Sequence, residues 1–143
     1  MTQGRTTGET QDPLDRWIQL EEPLMAELEV ITGRQSELLL SRDVEQLAEL
    51  VERRGKVLDE LSVIADRIAP LVPRANAAQR QRMLAVSECA ARVAAQDAMA
   101  LERLAAARDE AAAGLGSLAA SSRAHGAYGA AGPQAPAFQD REA

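Results

Sequence analysis

The sequence predicts an all-α protein: an antiparallel helical hairpin within three long helices, coiled-coil-like in packing, with disordered termini. Two observations carry that expectation. Leu, Ala, Glu, Gln and Arg dominate the 143 residues, and these side chains lose little freedom in a helix. Apolar residues also recur at three- and four-residue spacing through three successive stretches, whereas runs rich in Val, Ile, Thr or aromatics are missing. The length suits one domain with a modest core.

Residues 1–12 are polar, with Gly, Thr and Gln prominent, and are expected to form a disordered leader. A first helix is expected over residues 13–40. Asp12 can cap it, Pro13 suits the first helical position, and Asp15 complements the positive end of the helix dipole. Its apolar stripe runs through Leu14, Trp17, Ile18, Leu24, Met25, Leu28, Ile31 and Leu38. Pro23 interrupts the stripe, which calls either for a kink or for a helix that begins near Glu22.

A second stripe, Val44, Leu47, Val51, Leu58, Leu61, Ala65 and Ile68, is out of phase with the first by two residues, about 200° on an α-helix. Asp43 with Gln46 resembles a capping box. A tight turn at Ser41–Asp43 between two helices accounts for both features. One long helix with a local phase error also accommodates the slip, because Leu38, Leu39 and Leu40 form a broad apolar band. On the turn reading the second helix covers residues 44–69, and Pro70 and Pro73 end it.

Asn76 and Gln79 are spaced to cap a third helix, expected over residues 75–122. It is long and Ala-rich, so it forms readily, but each Ala contact buries little area at about 25 cal/mol per Å². Gly114 and Gly116 weaken it, each by about 1 kcal/mol relative to Ala. Residues 123–143, rich in Gly, Ala and Pro and carrying Tyr128 and Phe138, are expected to be a flexible tail.

The chemistry available is sparse. Catalysis by Ser, Cys or Thr needs a positioned base, yet His125 is the only histidine and falls in the expected tail. Cys89 is the only cysteine, which excludes an intramolecular disulfide and a cysteine zinc site; between Glu88 and Ala90 it reads as a packing residue. No Glu-x-x-His pair suggests a di-metal centre, and no Gly-rich loop suggests phosphate binding. The sequence therefore predicts no enzyme, no cofactor and no metal.

The net charge is −6, with acids in excess by about six from Pro13 to Pro73 and bases in excess by about two from Arg74 to Arg123. Such halves attract when packed together, although exposed pairs contribute only about 0–1 kcal/mol each. The acidic balance argues against nucleic acid as a partner. No apolar run approaches the roughly 20 residues that cross a bilayer, and no signal-peptide pattern opens the chain, so a cytoplasmic location is expected.

The third helix is longer than either of the others, so its C-terminal half calls for a copy of itself, another protein, or fraying. A weak homodimer is compatible with that. At this level of organisation the chain resembles the FlgN-type flagellar export chaperones. The resemblance is carried by the stretch Leu38-Leu-Leu-Ser-Arg-Asp-Val-Glu-Gln-Leu47, by Arg54-x-Lys56-Val-Leu-Asp-Glu-Leu61, and by Tyr128 between Ala127 and Gly129, and it spans residues 14–132. Pro23 and the Ala-richness of the third helix depart from the family pattern. The resemblance implies a cytoplasmic protein that holds the C-terminal helical segments of hook-filament junction proteins, prevents their premature assembly and delivers them to the flagellar type III export gate. It further implies client binding through Val93, Leu101, Leu104, Leu115 and Leu118 in a helix-in-groove mode, and gate docking through Tyr128. The alternative function is a structural scaffold subunit forming an obligate helical coiled-coil oligomer.

Overall fold

The computed structural model describes residues 11–131, with side chains as far as residue 127. It is all-α, and no strand occurs among the described residues. Helix α1 covers Pro13–Leu38, α2 covers Val44–Ile68, a 3-10 segment covers Ala69–Arg74, and α3 covers Ala77–Ala131. Contacts divide the chain into two units, the first ending at Leu101 and the second beginning at Glu102, and α3 contributes to both.

Each helix of the first unit starts where a side chain can take up the unpaired N–H groups of its first turn. Asp12 accepts from the Leu14 N–H at 2.9 Å, and Asp43 accepts from the Gln46 N–H at 3.0 Å. The Asp43 box is only half made. Its own N–H goes to the Ser41 hydroxyl instead, at 3.2 Å. Asn76 and Gln79 complete theirs: Gln79 N–H donates to Asn76 Oδ1 at 2.8 Å, and Asn76 N–H donates to Gln79 Oε1 at 2.9 Å.

The phase slip is a turn. Ser41 N–H closes onto the Leu38 carbonyl at 2.9 Å and Val44 N–H onto Arg42 at 3.0 Å, which reverses the chain into α2. Pro23 does not end α1, which runs unbroken from Pro13; Pro23 and Gln19, four residues before it, are exposed, so the Gln19 carbonyl that lacks an N–H partner can reach water. The 3-10 segment absorbs Pro70 and Pro73 between α2 and α3.

α1 and α2 form an antiparallel hairpin, and the first part of α3 lies against both, parallel to α1. Two clusters fill the interior. One joins Leu14 and Ile18 of α1 to Ile64 and Ile68 of α2 and to Ala75, with Trp17, Leu71 and Met83 at its edge. The other joins Met25, Leu28 and Ile31 of α1 to Val57 of α2 and to Cys89 and Val93 of α3. Each fully buried aliphatic side chain here contributes roughly 1.5–3 kcal/mol.

The second unit is the remainder of α3. Every described residue from Arg108 to Ala127 is exposed, so this stretch is held by its own backbone hydrogen bonds and by the helix propensity of its alanines. The boundary expected after residue 122 is not where the helix ends, because it continues to Ala131. Gly126 and Gly129 lower propensity without blocking the helix, and the first proline after Arg123 is Pro133. Residues 1–10 of the expected leader, and Phe138 with the rest of 132–143, lie outside the described residues.

Candidate binding surface

In the first unit the polar side chains bind the helices to one another. Gln79, 2 % exposed, spends its carbonyl on the α3 cap and its amide on α1, donating to Asp12 Oδ2 at 2.9 Å and to Asp15 Oδ1 at 3.0 Å. That hydrogen bond holds the Asp12 carboxyl below its ordinary pKa. Farther along, Arg82 forks onto Glu22 (2.5 and 3.2 Å) and Arg92 donates to Glu29 at 2.7 Å. Both carboxylates are consequently pulled below their usual range. Glu21 moves the other way, because partial burial disfavours its charge and Glu22 adds repulsion.

Arg54 is the densest junction. It meets Asp97 through two hydrogen bonds of 3.0 and 2.5 Å and donates to Thr32 Oγ1 at 3.0 Å, so one guanidinium touches α1, α2 and α3. The Thr32 hydroxyl itself donates to the Leu28 carbonyl at 2.7 Å. Cys89 is buried, its thiol directed at the Met25 carbonyl at 3.7 Å, and burial pushes its pKa up, which opposes thiolate chemistry. Among the described residues no group of three or more His, Cys, Asp or Glu is placed to hold a metal ion, and no helix is long and apolar enough to cross a membrane.

The residues implicated in client binding separate into two environments. Val93 is only 5 % exposed and packs with Met25, Leu28, Ile31, Val57 and Cys89. It belongs to the core and is withdrawn from the surface. Its position on α3 faces the hairpin, and a β-branched apolar side chain there is worth more buried than exposed. Leu101, Leu104, Leu115 and Leu118 are exposed, at 66, 40, 67 and 68 %. Leu104, Leu115 and Leu118 fall within about 60° of arc on the helix of the second unit. Tyr128 lies within the helical span of α3, and its side chain lies outside the described residues.

One apolar feature depends on the packing of two helices and is not marked by either stripe. An open groove of about 490 Å³ runs between α1 and α2, lined by Leu20, Pro23, Leu24, Glu60, Val63 and Ile64. Leu20 and Val63 lie off the two stripes; an apolar residue outside the stripe on each of two paired helices was the available signal. No known family model, curated protein or solved structure matches the chain.

Proposed function

We propose that this chain is a flagellar type III export chaperone of the FlgN type, which holds the C-terminal helical segments of hook-filament junction proteins until they reach the export gate. The observation that supports this is the exposure of four leucines, Leu101, Leu104, Leu115 and Leu118, along a helix whose residues from Arg108 to Ala127 are all exposed. Leucines exposed along one side of a helix offer an apolar face against which an amphipathic client segment can pack, helix against helix. A client segment laid along them buries its own apolar face and is kept from self-association. The helix is held by Ala propensity, so it takes up and releases a partner without disturbing the core of the first unit. Tyr128 is the gate contact on this reading.

The test is titration of the purified chain with the C-terminal segment of a hook-filament junction protein, followed by calorimetry. Wild type is expected to bind with a negative heat-capacity change. Leu101→Asp combined with Leu115→Asp is expected to abolish binding at unchanged helicity. Tyr128→Ala is expected to retain binding and lower export in cells. A double variant that binds as well as wild type overturns the assignment.

A further inference from the structure

The same stretch of α3 is patterned for a second partner, and this inference stands apart from the export reading. From Leu101 to Leu118 the helix carries two leucine pairs in one heptad phase, Leu101 and Leu115 at a positions and Leu104 and Leu118 at d positions, with Arg108 (a) and Ala111 (d) between them. The four leucines are separated by three, eleven and three residues, a spacing that reads the same in both directions. An interface with a two-fold axis is formed by one surface on both copies, so it requires a surface complementary to itself. We propose that this segment pairs antiparallel with the same segment of a second copy of the chain.

In that register Leu104 lies opposite Leu115 of the second copy, Leu101 opposite Leu118, and Arg108 opposite Ala111. Every a position meets a d position. The orientation follows chiefly from volume, since in the antiparallel register the two Arg108 side chains still occupy neighbouring layers about 4.5 Å apart along the axis. A parallel pair sets Arg108 against its own copy in one layer and Ala111 against Ala111 in the next, giving repulsion beside a void. The antiparallel pair puts the long Arg108 stem over the small Ala111, with the charged head free to reach water. The flanking e and g positions are Ala105, Ala107, Ala112, Gly114, Ala119 and Ser121, small enough for close backbone approach and carrying no charge. Glu102, Arg103, Asp109 and Glu110 occupy b and c positions, away from the seam. The seam stops at Leu101 because the preceding d position is Asp97, committed to Arg54.

Leu101 to Leu118 spans about 26 Å of a helix about 10 Å wide. Such a strip falls well short of the roughly 800 Å² per partner of a standard interface. The pairing is therefore expected to be reversible, with dimers separating on dilution.

Sedimentation velocity on the full chain tests association. The weight-average mass is expected to climb toward that of two chains across the micromolar range, while Leu115→Glu stays at one chain with helicity unchanged. Cysteine crosslinking tests register. Leu104→Cys and Leu115→Cys are each oxidised alone and as a mixture, with wild type, whose only thiol is the buried Cys89, as control. The mixture is expected to give a covalent dimer and each variant alone none. A wild type that remains monomeric throughout overturns the proposal. So does a mixture that gives no covalent dimer, and so does a variant that crosslinks to itself, since that marks a parallel pair.

Discussion

Gln79 of α3 donates its buried side-chain amide to Asp12, the capping residue of α1, at 2.9 Å, while its carbonyl accepts from the Asn76 N–H. One side chain, 67 residues from Asp12 in sequence, thereby ties together the starts of two helices. Gln79→Ala removes the side-chain half of the capping box, leaving the Asn76 N–H without its partner while residue 79 N–H still reaches Asn76 Oδ1, at a cost of about 1–3 kcal/mol. Urea unfolding measures this as a lower midpoint at unchanged slope. Gln79→Glu brings a third carboxylate to Asp12 and Asp15, so its defect is expected to be largest at neutral pH and to shrink as the solution is acidified.

The wild-type pH profile follows from the directions of the carboxyl shifts. Asp12, Glu22 and Glu29 titrate below their ordinary range in the folded state, owing to Gln79, Arg82 and Arg92 respectively. An acid with a depressed folded pKa contributes stability that is fully present above its unfolded pKa, near pH 4, and lost as pH falls through the folded value. Glu21 is raised, chiefly by burial, and works with the opposite sign. Thermal unfolding is expected to show a plateau from about pH 7 to about pH 5 and a decline below about pH 4. Glu21→Gln is expected to raise the plateau slightly and leave the acid limb in place.

Arg54→Lys is expected to destabilise nearly as much as Arg54→Ala, because a lysine cannot fork onto Asp97 while also reaching Thr32. The loss is about 1–3 kcal/mol, since Asp97 and the Thr32 hydroxyl lose a partner in a partly buried site. Denaturant midpoints of the two variants check this, and a lysine variant equal to wild type contradicts it.

Gly33 and Gly55 lie inside helices, and an added Cβ at either meets nothing within 4 Å. Gly55→Ala is therefore expected to stabilise the first unit by about 0.5–1 kcal/mol. Gly114 and Gly116 are equally open. Their replacement by Ala is expected to raise helicity by circular dichroism without moving the unfolding midpoint of the first unit.

Local features of this fold are legible in the sequence, and long-range ones are not. Asp12, Asp43 and the Asn76–Gln79 pair announce helix starts because a cap acts over three residues, and the phase slip at Ser41–Asp43 marks a turn that the structure contains. The burial of Val93 is not legible in the sequence, because an Ala-rich helix has no clear stripe and which face is buried depends on Met25, Leu28 and Val57, far away in sequence. The Arg54–Asp97 pair and the second bond of Gln79 are invisible for the same reason. Gly and Ala after Arg123 point to a tail in the sequence, yet α3 runs on to Ala131, because neither residue blocks a helix as a proline would.

The central claim is that the leucines of α3 from Leu101 to Leu118 form a surface for a partner, whereas Val93 is core. Hydrogen exchange on the dilute full chain, with and without the client segment, tests it most directly. Amides of residues 102–127 are expected to exchange rapidly alone and to become protected when the segment is added, while Ile18, Val57 and Val93 stay protected in both states. Protection of residues 102–127 in the dilute chain equal to that of Val93, unchanged by the segment, would contradict it.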